Sequence, residues 1–158
     1  MNRYILDILE NRDGKKIVFT NGVFDILHKG HVDYLIEAKK LGDFLIVGIN
    51  SDASVKRLKG ENRPINGEAD RSFIVQNLKS VDKTIIFDDD TPYTLIKSIM
   101  PDILVKGGDY DPNESDKNSK KYIVGSDIVR ERGGSVISID LTEGRSTTSI
   151  IEKAKNKG

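Results

Sequence analysis

Short apolar runs alternate along this chain with stretches whose apolar residues recur at helical spacing, and this alternation constrains the fold more than any other feature. Five runs rich in β-branched residues predict buried strands at residues 16–20, 44–49, 83–87, 102–106 and 135–139. The helical stretches predict helices at residues 31–41, 69–78, 92–99, 123–132 and 147 to about 155. Regular βα alternation is typical of a parallel sheet with crossover helices. The sequence therefore predicts an α/β fold, a five-stranded parallel sheet with helices on both faces.

Local signals set the expected helix ends and inward faces. Gly42 ends the helix at residues 31–41. We expect Thr91 to cap the helix that begins at Pro92, and Ser146 to cap the last helix. The polar residues 111–121 predict a surface loop. The helix at residues 69–78 is expected to bury three apolar side chains, Phe73, Ile74 and Leu78.

The length of 158 residues suits one domain that buries a core without disulfides. We expect residues 1–158 to form a single domain, with an N-terminal helix in residues 1–14 and a core over residues 15–152. The chain has no cysteine, which excludes disulfides, thiolate metal sites and a cysteine nucleophile.

The net charge and the hydropathy of the chain limit the classes of partner to be expected. Lys plus Arg and Asp plus Glu each number 25, so the net charge is zero and neither nucleic acid nor a membrane is an expected partner. No apolar stretch approaches the ~18 residues needed to span a membrane. The N-terminal residues carry acids within their apolar run, unlike a signal peptide. We therefore expect a cytoplasmic location.

The chain's two histidines, His28 and His31, lie in one block just after the first predicted strand. Parallel sheets bind ligands outside the carboxyl ends of their strands, and histidines three apart at a helix start can point the same way. Two unrelated histidines are the alternative, which the preceding turn Asn21-Gly22 disfavours. A zinc site needs a third ligand, and the block lacks the glutamate and the spacing of a metalloprotease helix.

Three further segments suit an anionic ligand. Residues 142–149 gather hydroxyls at the start of the last helix, where free N–H groups attract anions. Residues 56–63 are basic, and residues 105–110 hold two glycines that permit close backbone approach. An ordinary helix cap, a solvated charged face and a tight turn are the respective alternatives. No Walker A, G-x-G-x-x-G or G-x-S-x-G sequence is present.

The block H-x-G-H after strand one, with a Ser/Thr-rich helix start after strand five, resembles the H-x-G-H nucleotidyltransferase superfamily. Within it the chain is most similar to D-glycero-β-D-manno-heptose 1-phosphate adenylyltransferases. The matching segments are TNGVFDILHKGHVDYL, AKKLGDFLIVGINSDASVKRLKG, RPIN, DDTPYTLI, PDILVKGGDY and GRSTTSII. This activity often forms the C-terminal half of a bifunctional heptose kinase/adenylyltransferase, and we expect a stand-alone adenylyltransferase here.

The resemblance implies a Rossmann-like fold and a role in ADP-heptose and lipopolysaccharide biosynthesis. It implies ATP and a sugar 1-phosphate as substrates, with Mg²⁺ held through phosphates rather than by the protein. It also implies a homo-oligomer, expected to be a dimer. Catalytic roles are expected for His28, His31, Lys56 and Lys59. Nucleotide contacts are expected from Thr20, Asn21, Gly22, Val23, Phe24, Gly30, Lys106, Gly107, Asp109, Ser146, Thr147 and Thr148. Substrate contacts are expected from Asp25, Asn50, Asp52, Arg63 and Arg71. The histidines, with an ordinary pKa near ~6.5, are expected to gain charge next to phosphate.

Two features depart from the resemblance: the polar stretch after Tyr110 is longer than the family leads us to expect, and Arg145 stands where arginine is not the family expectation. A glycerol-3-phosphate cytidylyltransferase shares both motifs and is the nearest rival, followed by an FAD synthetase. A non-catalytic nucleotide-binding module is the rival of a different class.

Overall fold

The computed structural model describes residues 3–140 and 147–157. For residues 147–149 and 157 it describes the backbone alone. Five strands form one sheet in the order β3-β2-β1-β4-β5, and every neighbouring pair is parallel. The predicted parallel α/β sheet is confirmed. The strands are β1 Ile17–Gly22, β2 Phe44–Asn50, β3 Lys83–Phe87, β4 Ile103–Gly107 and β5 Ser135–Ile139.

The helices confirm the alternation and add one element that the sequence did not predict. They are α1 Arg3–Glu10, α2 Lys29–Lys40, α3 Asp52–Lys59, α4 Glu68–Gln76, α5 Tyr93–Ile99, α6 Ser126–Glu131 and α7 Thr147–Lys157. The unpredicted element is α3, which is capped by Ser51. The basic residues that begin at Lys56 lie in the last turn of this helix and not in an irregular loop. None of the helices within the described ranges is long and apolar enough to cross a membrane.

The apolar side chains of the strands alternate between two faces of the sheet, which gives two core clusters. Ile17 and Phe19 of β1 pack with side chains of α1, α5 and α6. Val18, between them, packs with side chains of α2 and α4 on the opposite face. Both faces are therefore covered by helices, as the near-continuous apolar strands require.

A crevice opens where the strand order reverses, between β1 and β4. Only two residue pairs join these strands, Val18 with Ile103 and Phe19 with Leu104. Beyond them, the end of β1 pairs with β2 and the end of β4 pairs with β5. The last three residues of each strand therefore leave their facing edges unpaired with each other. Such a switch point is where doubly wound sheets bind ligands.

The α4 face corrects one prediction. Phe73 and Ile74 were expected inward, yet they are 70% and 45% exposed. The helix instead buries Val75 and the charged Arg71. The reason is that Arg71 finds polar partners at the carboxyl edge of the sheet, which fixes the rotation of the helix.

Two cap predictions have different outcomes. At the start of α5 the N-cap position is Pro92, with no side-chain cap hydrogen bond, so the predicted Thr91 cap is wrong. Ser146, predicted to cap α7, lies outside the described residues. Residues 111–121 contain turns and no helix or strand, as predicted for a surface loop.

Candidate active site

Both histidines are built into the first turn of α2. The Nδ1 atom of His28, the N-cap residue, accepts a hydrogen bond from the backbone N–H of Gly30 at 3.1 Å. The Nδ1 atom of His31 accepts one from the backbone N–H of His28 at 3.3 Å. This reciprocal capping box satisfies two N–H groups that a helix start otherwise leaves unbonded. The two rings stack with centroids 3.9 Å apart, so the helix cap fixes them as one unit.

The cap also fixes where the histidine protons lie. An Nδ1 atom that accepts a hydrogen bond carries no proton, so each neutral ring has its proton on Nε2. Burial, followed by the neighbouring His28, lowers the pKa of His31 from 6.5 to about 4. His31 is therefore a neutral N–H donor at physiological pH. The ordinary pKa that the sequence suggested does not hold for His31 in the unliganded protein, and its gain of charge next to phosphate stays a prediction.

The end of β1 leads into the histidine turn through a tight backbone. Phe24 has a φ of +50°, a value uncommon for a residue with a side chain. Gly22 lies under its ring: a Cβ atom there would be 2.8 Å from Cε2 of Phe24. The Phe24 ring in turn lies 5.5 Å from the ring of His31, centroid to centroid. Residues 22–24 thus run close to the histidine pair, and their predicted approach to phosphates stays a prediction.

Thr20 and Asn21 hold polar groups at the floor of the crevice. Thr20 is fully buried, and its hydroxyl hydrogen-bonds the Tyr34 hydroxyl at 2.7 Å. Burial raises the pKa of Tyr34 well above its usual value, more than the Thr20 hydrogen bond lowers it. The Oδ1 atom of Asn21 is buried and has no hydrogen-bond partner within the described part of the chain. Thr20 therefore positions α2, whereas Asn21 is available to a ligand.

Asp25 anchors a distant segment instead of facing solvent. Its buried carboxylate accepts hydrogen bonds from the backbone N–H groups of Ile65 and Asn66 at 2.8 Å, and from Nε of Arg63 at 3.0 Å. Burial acts to raise the pKa of Asp25, but these donors outweigh it and hold the pKa below its usual value. Asp25 and Arg63, predicted to contact substrate, are thus paired with each other around the cis peptide bond before Pro64.

Arg71 ties together four segments at the carboxyl edge of the sheet. Its side chain is fully buried and donates to the backbone oxygens of Val23, Asn50 and Asn66 at 2.7–2.8 Å. Its Nη2 atom also donates to the carboxylate of Asp52 at 2.8 Å. Arg71 donates all four of these hydrogen bonds to protein oxygens, which favours a positioning role, and its predicted substrate contact stays a prediction.

Asn50 and Asp52 differ in access to a ligand. Asn50 is buried, and its Nδ2 atom donates to Oγ of Ser54 at 3.1 Å. The Asp52 side chain keeps 38% of its surface exposed. Asp52 is the carboxylate of the predicted substrate set that a ligand reaches most readily.

The basic residues of α3 are exposed above this edge. Lys56 and Lys59 are both exposed, and the structure places neither in an ion pair with a described carboxylate. Arg57, between them, donates to Oδ1 of Asp90 at 2.7 Å and to the backbone oxygen of Asp88. The helix therefore presents two available ammonium groups and one committed guanidinium.

The fourth strand ends at the other wall of the crevice. Lys106 and Gly107 are its last two residues, and Asp109 and Tyr110 follow in an exposed turn. The Lys106 ammonium lies 5.0 Å from the centroid of the Tyr110 ring. Burial lowers the pKa of Lys106 to about 8.

Part of the predicted phosphate site falls outside the described residues. Ser146 is among the residues not described, and of Thr147 and Thr148 only the helical backbone of α7 is described. Over the described ranges, no three His, Asp or Glu side chains come together as a metal site.

A cavity of about 210 Å³ lies at the opposite edge, beneath α1. Ile8, Ile17 and Phe44 form part of its wall, and Lys83 lies at its rim. It adjoins the amino ends of the strands, whereas parallel sheets bind ligands at the carboxyl ends. The histidine edge is therefore the candidate active site.

Sequence reasoning missed two residues that shape this site. Tyr34 bonds Thr20, and it lies three residues after His31, the spacing that places side chains on one helix face. Asn66 contacts both Asp25 and Arg71. No local signal marks Asn66, since its partners lie 41 and 5 residues away in sequence.

Comparison with known proteins finds similar sequences over most of the chain. The model of the cytidylyltransferase-like family matches residues 19–153. The chain is 57% identical over 146 residues to the bifunctional protein HldE of a Nitratiruptor species, covering 92% of this chain and 29% of the relative. It is 55% identical over 150 residues to the bifunctional protein HldE of Campylobacter concisus, covering 95% and 29%. The chain thus spans 29% of the length of these relatives.

Two solved structures share the fold. The lipopolysaccharide core biosynthesis protein of Thermoplasma volcanium is 32% identical with a TM-score of 0.61, covering 84% of this chain and all of that one. Pantothenate synthetase of Thermus thermophilus is 15% identical with a TM-score of 0.51, covering 86% and 59%. At that identity, the second similarity concerns the fold alone.

Proposed function

The chain belongs to the cytidylyltransferase-like family of nucleotidyltransferases, and from that premise we propose that it joins ATP to D-glycero-β-D-manno-heptose 1-phosphate, giving ADP-heptose and pyrophosphate. The observation that carries the proposal is the capping box of His28 and His31. It fixes two stacked imidazoles with their protons on Nε2, beside the crevice where the sheet binds ligands.

The reaction needs placement and charge stabilisation rather than a covalent enzyme intermediate. An oxygen of the sugar 1-phosphate attacks the α-phosphorus of ATP, the bond from that phosphorus to the bridging β-phosphate oxygen breaks, and pyrophosphate leaves. Negative charge grows on the α-phosphate oxygens and on the leaving group in the transition state. Donors fixed before the reaction stabilise that charge without reorganising.

The described residues supply such donors from two elements. His28 and His31 donate from Nε2 to the α-phosphate, and the backbone of residues 22–24 and Gly30 approaches the same group. Lys56 and Lys59 cover the β- and γ-phosphates from the last turn of α3, where both ammonium groups are exposed. Ser146, Thr147 and Thr148 keep their proposed role at the start of α7.

The remaining contacts divide into ligand contacts and positioning. Asn21, Gly107 and Asp109 line the crevice and contact the nucleotide, while the exposed edge of Asp52 binds a hydroxyl of the ribose or the sugar. Thr20, Asp25, Asn50, Arg63 and Arg71 hold the surrounding segments in place through the hydrogen bonds described above.

Mg²⁺ enters this proposal as an ion held by the nucleotide. The neutral His31 and the exposed ammonium groups of Lys56 and Lys59 are donors suited to phosphate oxygens, and magnesium itself prefers phosphate oxygens and water. When bound there, the ion neutralises charge on the triphosphate. No residue of this chain is assigned as its ligand.

The acceptor rests on similarity. The quoted segments resemble heptose 1-phosphate adenylyltransferases, and the Thermoplasma neighbour is named for lipopolysaccharide core biosynthesis. The curated relatives are named bifunctional, and the matched 29% of their length suits one of two activities. We further propose that residues 15–152 form the catalytic core behind the helix of residues 1–14, and that the protein is a homodimer, which sedimentation velocity tests.

A substrate screen tests the proposal. ATP and CTP are each offered with heptose 1-phosphate, glycerol 3-phosphate and FMN, and pyrophosphate release is measured. We expect turnover with ATP and heptose 1-phosphate. Preference for CTP and glycerol 3-phosphate would instead identify a cytidylyltransferase, and nucleotide binding without pyrophosphate from any pair would identify a binding module.

The variant His28→Ala tests the assignment of the histidines. Loss of one transition-state donor is expected to lower kcat by roughly 10²–10³-fold with the fold intact. Lys97→Ala is the matched control, because Lys97 is exposed in the last turn of α5. Near-normal turnover of His28→Ala would remove the histidines from the mechanism.

A further inference from the structure

Among the residues that the structure describes, Lys106 is a cation without a counter-charge. It is half-buried at the end of β4, and among the described residues it has neither a carboxylate partner nor a hydrogen bond to its ammonium. Its ammonium lies 5.0 Å from the centroid of the Tyr110 ring, in a cation–π contact. Removing an ammonium from water without a partner is unfavourable, and burial lowers its pKa to about 8. An arriving anion would relieve that cost.

The strand pattern shows which wall of the crevice Lys106 occupies. Leu104, two residues earlier, packs in the cluster with α5 and α6, so Lys106 has its Cβ on that same face. Asn21 of β1 lies there too, because a Cβ atom on Gly48 would be 3.0 Å from the Phe19 ring and 3.2 Å from Cβ of Asn21. Lys106 and the buried, unpartnered Oδ1 atom of Asn21 therefore line one wall together.

The histidine pair starts from the opposite face of the sheet. The side chains of α2, which the histidines cap, pack in the second cluster, on the far side of β1 from Phe19. Burial first, and then the Tyr110 phenol, raise the pKa of Tyr34 on α2, and the same Tyr110 ring contacts the Lys106 ammonium. Lys106 thus faces the histidine pair across the crevice instead of adding to it.

In-line transfer requires the nucleophile and the leaving group to lie on opposite sides of the α-phosphorus. The histidines and the α3 lysines serve the nucleotide and its leaving pyrophosphate. From this arrangement we infer that Lys106 binds the phosphate of the acceptor, not the nucleotide, and that Oδ1 of Asn21 accepts a hydrogen bond from a hydroxyl of the acceptor sugar. This inference rests on the proposed function and changes the expected roles of Lys106 and Asn21 from nucleotide contacts to acceptor contacts.

Steady-state kinetics of Lys106→Gln test the inference. A charge-assisted hydrogen bond to phosphate is lost, so the KM for heptose 1-phosphate is expected to rise roughly 10- to 100-fold. The KM for ATP is expected to stay within roughly 3-fold, because the histidine pair and the α3 lysines, which hold the triphosphate in the proposed function, are unchanged. Lys106→Arg keeps the charge and is expected to recover most of the acceptor affinity. A rise in the KM for ATP with an unchanged acceptor KM would overturn the inference.

Two controls separate this inference from the proposed function. Lys97→Gln, an exposed lysine of α5, is expected to leave both KM values unchanged. If the wild-type protein releases no pyrophosphate with any acceptor, the proposed function fails. Binding of inorganic phosphate, followed by calorimetry, then decides the Lys106 question alone. Equal phosphate affinity of the wild type and Lys106→Gln would contradict it, and weaker binding by the variant would support it.

Discussion

Replacing Arg71 by methionine tests whether one buried guanidinium organises the candidate site. Methionine retains much of the apolar stem but donates no hydrogen bond. The backbone oxygens of Val23, Asn50 and Asn66, which accept from Arg71 at 2.7–2.8 Å, lose their donor. The carboxylate of Asp52 loses one as well. The hydrogen bond to Asn50 is fully buried, so its loss costs about 1–3 kcal/mol, and each part-buried carbonyl adds roughly 1 kcal/mol.

The Asp52 carboxylate adds less, because 38% of that side chain is exposed and water replaces the arginine. The expected loss in the free energy of unfolding is therefore about 3–5 kcal/mol. Urea unfolding followed by circular dichroism measures it. Arg57→Met is the matched control, because its ion pair with Asp90 is exposed and its loss should leave stability nearly unchanged. A loss below about 1 kcal/mol for Arg71→Met would refute the positioning role.

Three further predictions concern the histidine cap, the anchored segment and a close backbone approach. The NMR titration of His31 is expected to have its midpoint at a pH of about 4. Because the unfolded chain binds this proton near 6.5, the His31 contribution makes the free energy of unfolding rise with pH between these two values. A titration midpoint above 6 would contradict the capped geometry. Asp25→Asn places an amide against the N–H groups of Ile65 and Asn66, so faster hydrogen exchange at both and a loss of about 2–4 kcal/mol are expected, whereas unchanged exchange would argue against the anchor. Gly42→Ala places a Cβ atom 2.8 Å from the backbone oxygen of Lys16, so calorimetry should show a destabilisation of about 1–3 kcal/mol, and an unchanged Tm would show that the turn relaxes freely.

The apolar runs of the strands were sufficient to predict most of the fold. The predicted bounds of β3 and β5 agree with the structure, because apolar runs closed by turn residues leave little freedom. The start of α2 was predicted at residue 31, but the helix begins at Lys29, since His28 itself caps it. Histidine is not among the usual N-cap residues, so capping preferences gave no signal there.

The interior of the candidate site was less accessible to sequence reasoning. Apolar spacing placed Phe73 and Ile74 inward, yet the helix buries Val75 and the charged Arg71. The oxygens that accept hydrogen bonds from Arg71 belong to segments 5 to 48 residues away in sequence. No local pattern shows that these segments converge. The same holds for Asp25, whose partners near Ile65 lie 40 residues away. Residue type located the site, but long-range hydrogen bonding decides which side chains face a ligand.

The most direct test of the proposed transfer follows one oxygen atom. Heptose 1-phosphate labelled with ¹⁸O on its non-bridging phosphate oxygens is incubated with ATP and the protein, and the products are analysed by ³¹P NMR and mass spectrometry. We predict that ADP-heptose carries the label, including the oxygen that bridges its two phosphates, and that the released pyrophosphate carries none. Label in pyrophosphate, or ATP consumed without a labelled nucleotide sugar, would contradict attack of the sugar phosphate on the α-phosphorus.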